Sequence, residues 1–167
     1  VPASVDFNKG RRAGGDNYIT GQNEIDNAFQ EWPENQSWPS DCRILIVEDN
    51  HINQLVISNL LSIMNLDHVM ANNGVEAIEY LKSSTDQQTF NLVLMDCQMP
   101  VMDGYDATLG IRSGEAGERY KDMVIIAMTA NAMKGDREKC LDVGMNDYFA
   151  KPIVPEVVTG LLTKWLK

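Results

Sequence analysis

From residue 43 onward, five short apolar runs alternate strictly with five segments of helical spacing. The runs are RILIV (43–47), HVMA (68–71), NLVLM (91–95), MVIIAM (123–128) and DYFA (147–150). Between and after them, apolar residues recur at helical intervals over 53–64, 75–83, about 105–112, about 133–143 and about 155–165. On the first helical segment the recurring positions are Leu55, Val56, Leu60, Ile63 and Met64. On the second, Val75, Ile78 and Leu81 or Tyr80 are expected to point inward. Parallel strands joined through a helix take a right-handed crossover, so strict alternation builds a parallel sheet with helices on both faces. Such strands are buried on both sides and read as continuous apolar runs. The expected fold is α/β: a flavodoxin-like (βα)5 doubly wound sheet with strand order 2-1-3-4-5.

This topology also says where chemistry belongs. In such sheets the site lies outside the carboxyl ends of the strands, where the order reverses between the first and third strands. The first run leads into Glu48-Asp49, the third into Asp96, the fourth into Thr129 and the fifth into Lys151-Pro152. Neighbouring strands lie ~4.8 Å apart, so Glu48, Asp49 and Asp96 should converge. Two like charges about 4 Å apart repel by roughly 4 kcal/mol at an effective dielectric of about 20. Three carboxylates in one cleft need a cation, or one must stay protonated. All-oxygen ligation with few protein ligands suits Mg²⁺, which keeps several waters and shares phosphate oxygens. Lys151 adds a fixed positive charge and Thr129 a hydroxyl. Together these groups make a pocket for a phosphoryl group, with the central carboxylate as nucleophile.

Each residue has an ordinary reading when taken alone. Glu48-Asp49-Asn50 is a plausible start for the next helix, Thr129 a helix cap, and Lys151 a solvated charge. Their joint arrival at one edge of one sheet favours the functional reading.

Composition narrows the classes further. The chain has 167 residues, enough for one domain plus an appendage, and a formal charge of −10 with no basic run. Binding to a nucleic-acid backbone is therefore not expected as a main activity. No apolar stretch approaches the ~20 residues of a membrane helix, and no signal-peptide pattern opens the chain. Cys42, Cys97 and Cys140 are widely spaced and form no CxxC, which fits buried thiols in a reducing cytoplasmic setting. His51 and His68 lack the context of a phosphodonor and are expected to be structural.

Residues 1–41 differ in character and read as a linker or tail, with loop-like stretches such as KGRRAGGDN and WPENQSWPSD. Residues 42–167 form the expected domain. Within the leader, Ile25, Ala28, Phe29 and Trp32 fall at i, i+3, i+4 and i+7, giving a possible short amphipathic helix over 23–32 stopped by Pro33. About ten residues are too few for an isolated helix. The segment is either a fluctuating linker or a docking segment for this domain or a neighbour. The Val1 start fits a piece of a longer protein.

The motifs ILIVEDN, LVLMDCQMPVMDG, IIAMTANAM and DYFAKP make residues 43–167 resemble a response-regulator receiver domain over its whole length. The resemblance implies that Asp96 is the phosphoacceptor. It implies Mg²⁺ ligation by Asp49, Asp96 and the backbone carbonyl of Gln98, with Glu48 acting mainly through water. Thr129 would bind the phosphoryl group, Lys151 would pair with it, and Tyr148 would be the aromatic switch that follows Thr129. A cis Lys151–Pro152 bond is implied too. In the loop MPVMDG, Pro100 stiffens the strand exit and Gly104 permits a tight turn. Gln98 and Asn131 occupy the positions that tune phosphoryl lifetime.

MDCQMPVMDGYDAT, MTANAM and CLDVGMNDYFAKP are closest to receivers fused to hybrid sensor histidine kinases. The implied function is to take a phosphoryl group from a phosphohistidine and pass it to a histidine phosphotransfer partner. The partners are a histidine kinase domain, a histidine phosphotransfer protein, or both. The segment would be a phosphoacceptor whose parent is the kinase; anchoring of that parent in an inner membrane stays open. Ile52, Leu55, Val56 and Ser58 to Leu60 carry more apolar residues than one buried face needs, so the first helix is the expected partner surface. A stand-alone regulator and a non-phosphorylated binding module remain alternatives. A phosphatase is disfavoured, because Gln98 stands where such enzymes need a proton-donating Asp.

Overall fold

A computed structural model describes residue 38 and residues 42–130 and 134–166. The expected helix at 23–32 and Asn131 lie outside the described residues. The strands are β1 (Arg43–Val47), β2 (Asp67–Ala71), β3 (Leu92–Asp96), β4 (Val124–Thr129) and β5 (Asp147–Ala150). The helices are α1 (His51–Ile63), α2 (Gly74–Ser83), α3 (Gly104–Ser113), α4 (Lys134–Asp142) and α5 (Pro155–Leu166). All pairings are parallel and the order is β2-β1-β3-β4-β5, as the alternation required.

The central strands β1, β3 and β4 are apolar over nearly their whole length because each face has its own helical layer. Leu45, Val47, Val93, Met95, Ile125 and Ala127 pack on one side, with Ala77, Leu81, Ala107 and Ile111 from α2 and α3. Ile44, Ile46, Leu92, Leu94, Ile126 and Met128 face the other side, with Ile57, Leu60 and Leu61 of α1 and Val158 and Leu162 of α5. Each of these large side chains contributes roughly 1.5–3 kcal/mol by leaving water. Two core layers against one sheet thus fix the register of the strand ends that carry Asp96 and Thr129.

The helix ends follow local chemistry. Asn50, Asn73 and Asp103 each accept from the backbone N–H three residues on, at the starts of α1, α2 and α3. Gly114 closes α3 in the left-handed conformation at φ 99°.

One inward assignment, on α2, differs from expectation, and on α1 burial separates the apolar positions into two stripes. On α1 the buried stripe is Ile57, Leu60, Leu61 and Met64, at i, i+3, i+4 and i+7. Leu55 is on a second stripe and is 52% exposed, with Ile52 at 71% beside it and Val56 half-buried. On α2, Gly74, Ala77, Ile78 and Leu81 face the core, whereas Val75 and Tyr80 point outward. In both helices the sequence offers two apolar stripes, and the one that fits against the sheet is buried. Small residues at 74 and 77 let α2 approach closely: a Cβ on Gly74 would lie 2.9 Å from that of Ala107.

A short 3-10 turn, Glu118–Tyr120, precedes β4 and was not expected from the pattern. The Tyr120 hydroxyl accepts from the Phe90 N–H at 3.2 Å and lies 2.6 Å from Ser84 Oγ, tying the β3 entry to the α2 exit. His68 is structural, as expected, with Nε2 2.8 Å from Ser58 Oγ and Nδ1 3.0 Å from the Leu66 carbonyl. Cys42, Cys97 and Cys140 are buried and free. Cys97 Sγ lies 3.7 Å from Cys140 Sγ, and burial pushes the Cys97 thiol far above its ordinary range, which makes it a packing group.

Candidate active site at the carboxyl edge of the sheet

Asp96 is the last residue of β3 and is only 3% exposed. Glu48 follows β1 and is fully buried. Its backbone N–H donates to the Ala71 carbonyl, so the chain is still held to β2 at that point. Asp49, next along, is exposed. Carboxylate oxygens of Glu48, Asp49 and Asp96 lie within 4.8 Å of one another.

Lys151 comes from the opposite side. Its backbone N–H donates to the Thr129 carbonyl at 2.8 Å, which fixes the residue at the end of β4. Its Nζ donates to Asp96 Oδ2 at 3.1 Å and pairs with Glu48 Oε1 at 2.9 Å. The contact to Glu48 lacks hydrogen-bond alignment, so Oε1 is paired by charge but has no oriented donor among the described residues. Glu48 Oε2 accepts from the Asn50 N–H at 3.0 Å, and Asp96 Oδ1 from the Gln98 N–H at 3.2 Å. The Lys151–Pro152 bond is cis.

The electrostatics follow from burial and proximity. Burial pushes the Glu48 carboxyl above its usual range, and Asp96 adds to the push; the Asn50 N–H and the Lys151 ammonium only partly oppose it. Burial works to lower the Lys151 ammonium, but the Glu48 and Asp96 carboxylates outweigh it and hold the group above its ordinary value. The site is thus an acidic cluster with one cation shared between two carboxylates. A cluster of oxygen donors, one of them buried without an oriented donor, fits a hard divalent ion.

Thr129 ends β4, is 3% exposed, and its Oγ1 has no hydrogen-bond partner among the described residues. It borders a small cleft with Cys97, Gln98, Tyr105, Ala130 and Asp136. Gln98 is exposed at the strand exit. Tyr148 is half-buried on β5, paired in register with Ala127, and its hydroxyl accepts from Arg137 of α4 at 3.1 Å.

Gly104 has a different role from the one expected. A Cβ there would overlap the Asp96 carbonyl oxygen and come within 2.9 Å of the Met95 side chain. The glycine allows the start of α3 to press against the end of β3, and the Gly104 N–H donates to the Cys97 carbonyl at 3.2 Å.

Seven residues singled out by sequence thus stand at or beside one rim. Glu48, Asp49 and Asp96 are in mutual reach and Lys151 pairs with Glu48 and Asp96; Thr129 and Gln98 line the adjoining cleft; Tyr148 lies one strand further out. Sequence reasoning missed Arg137, which meets Tyr148 from another element. It assigned Asn50 only a capping role, yet its N–H also holds Glu48.

The model of the response regulator receiver domain matches residues 44–163. The chain belongs to that family. Among curated relatives, this receiver is 44% identical over 133 residues to hybrid signal transduction histidine kinase B of Dictyostelium discoideum, covering 74% of this chain and 7% of that protein. It is 39% identical over 123 residues to sensor protein GacS of Pseudomonas syringae pv. syringae, covering 74% of this chain and 13% of GacS. The chain therefore spans a small part of the curated relatives it matches.

Among solved structures, the receiver resembles the receiver domain of sensor histidine kinase PA1611 from Pseudomonas aeruginosa PAO1, which has a magnesium ion coordinated in its active-site cleft. The TM-score is 0.66 and the identity 41%, covering 74% of this chain and 96% of that one. It also resembles, at TM-score 0.69 and 31% identity, the receiver domain of Saccharomyces cerevisiae Ssk1 in co-crystal with the histidine phosphotransfer protein Ypd1, covering 78% of this chain and 92% of that one. No helix among the described residues is long and apolar enough to cross a membrane.

Proposed function

We propose that this receiver takes a phosphoryl group from a phosphohistidine onto Asp96 and passes it to a histidine phosphotransfer partner. The observation that carries the reading is the Lys151 ammonium, held between Asp96 and Glu48 at the rim where the Thr129 hydroxyl has no partner among the described residues. An Asp96 carboxylate oxygen attacks phosphorus, the O–P bond forms as the N–P bond of the donor breaks, and the departing imidazole takes up a proton. Asp49, Asp96 and the Gln98 carbonyl would hold Mg²⁺, with Glu48 acting mainly through water. When bound, the ion supplies positive charge to the transferring oxygens.

The protein's own groups do the rest. Lys151 is near enough to follow the charge from the Asp96 carboxylate to the new phosphoryl oxygens. Thr129 Oγ1 donates to one of those oxygens, which gives a buried hydroxyl its missing partner. Tyr148 would then leave Arg137 and move inward behind Thr129. The stripe of exposed Ile52 and Leu55 with half-buried Val56 on α1 is the docking face for the histidine-bearing partner. Residues 42–167 act as the receiver and 1–41 as its leader, within a parent hybrid sensor histidine kinase acting in the cytoplasm.

The reading is tested with a labelled phosphohistidine donor. Label should move to wild-type protein in the presence of Mg²⁺, and chelation should stop the transfer. Label that moves equally well under chelation would contradict the assigned ion, and label that stays on the donor in Mg²⁺ would contradict the acceptor role.

A further inference from the structure

We infer that the leader segment Ile25–Trp32 docks on the exposed apolar stripe of α1. Three observations lead there. The first is a tether. The Trp38 indole N–H donates to the Met64 carbonyl at 2.9 Å, and the ring packs with the α1 and α5 layer of the core. The leader is therefore fastened at the C-terminal end of α1.

The second is reach. Trp32 lies six positions before Trp38, and an extended chain spans at most about 3.6 Å per step, or roughly 20 Å. Along α1, Leu55 lies nine residues before Met64, which at a 1.5 Å rise is roughly 14 Å, and Ile52 is about 18 Å away. Both lie within the span of the leader, and Pro33 ends the helical pattern of the sequence five residues before Trp38.

The third is charge. The segment NEIDNAFQEW carries Glu24, Asp26 and Glu31 and no Lys or Arg. The sequence of α1, HINQLVISNLLSI, contains no carboxylate. The other helices with exposed large apolar side chains are less suitable. Val75 and Tyr80 on α2 share their surface with Glu76 and Glu79. Leu109, Leu141 and Val157 each lie within one turn of Asp106, Glu138 and Glu156 respectively. An acidic amphipathic segment meets a carboxylate within one turn of each of those exposed side chains; on α1, Asp49 precedes Ile52 by three residues, but Leu55 and Val56 have no carboxylate within a turn, and Ile52, Leu55 and Val56 repeat the i, i+3, i+4 spacing of Ile25, Ala28 and Phe29.

The docked leader would cover the face assigned above to the histidine-bearing partner, so it acts as an internal competitor. That consequence rests on the proposed partner surface; the docking itself does not.

The test uses the full chain with Phe29 replaced by the photo-crosslinker p-benzoylphenylalanine, with neither partner nor phosphodonor. Irradiation should give an intramolecular product whose yield is the same at low and high protein concentration. Peptide mapping should put the adduct within α1 around Ile52–Val56. Leu55→Glu should lower the yield about tenfold through lost apolar contact and added repulsion. An adduct on α2 or elsewhere, adducts only between copies, or no adduct would each overturn the inference. None of these results depends on phosphotransfer, so failure here is separate from failure of the proposed function.

Discussion

The Lys151 ammonium sits 3.1 Å from Asp96 Oδ2 and 2.9 Å from Glu48 Oε1, joining two buried carboxylates that arrive on different strands. Removing one member of such a group leaves an uncompensated buried charge.

Lys151→Met should therefore lower the stability of the metal-free receiver by about 1–3 kcal/mol. Added Mg²⁺ should recover part of the loss, because a bound cation replaces the missing charge. Urea titrations with and without Mg²⁺ measure both quantities. Unchanged stability in the metal-free protein would show that the ammonium is not holding the carboxylates together.

Gly104→Ala forces a methyl group against the Asp96 carbonyl oxygen. Relief requires α3 to move away from the end of β3, at a cost of about 1–3 kcal/mol. Because the clash falls on the Asp96 backbone, phosphoryl uptake should also slow. Thermal unfolding and uptake kinetics check the two halves, and a variant that keeps full stability would contradict the close-approach account.

Asp147 gives a pH dependence away from the site. Burial works to raise its carboxyl, but the Trp165 indole N–H at 2.9 Å, the Tyr148 N–H and Lys164 outweigh it and hold the group below its ordinary value. A carboxyl whose folded value is depressed contributes stability above the unfolded value of ~3.9 and loses it as pH falls toward the folded value. Asp147→Asn should thus cost about 1 kcal/mol at neutral pH and progressively less in acid below pH ~4. A cost that does not shrink in acid would assign the effect to packing.

Leu55→Glu tests the partner face. Leu55 is half exposed, so the fold should tolerate the change within about 0.5 kcal/mol. Transfer from a phosphohistidine partner should fall about tenfold or more. Leu109→Glu, at an exposed leucine on α3, provides the comparison and should leave transfer near wild type. Equal effects of the two substitutions would remove α1 from the interface.

The fold was legible because its signals are local. The three central runs, RILIV, NLVLM and MVIIAM, stay apolar on both alternating positions, as a doubly covered strand requires, while the edge runs HVMA and DYFA are more mixed. The site was legible for a related reason: Glu48, Asp49, Asp96, Thr129 and Lys151 each sit within two residues of a strand's end, and parallel topology gathers those ends.

What was not legible depends on distant partners. Whether Leu55 or Ile57 faces the sheet is decided by how α1 settles on the sheet, since both lie on apolar stripes. Gly104 resembles a turn glycine until the Asp96 carbonyl appears beside it. The Arg137–Tyr148 and Tyr120–Phe90 hydrogen bonds join residues 11 and 30 positions apart with no motif linking them.

The most direct test of the central claim is the mass of the intact chain after incubation with acetyl phosphate and Mg²⁺, for wild type and Asp96→Asn. The account predicts a gain of one phosphoryl group in wild type and none in the variant. An equal gain in both would place the acceptor elsewhere, and no gain in a folded wild type that binds Mg²⁺ would contradict a reactive Asp96.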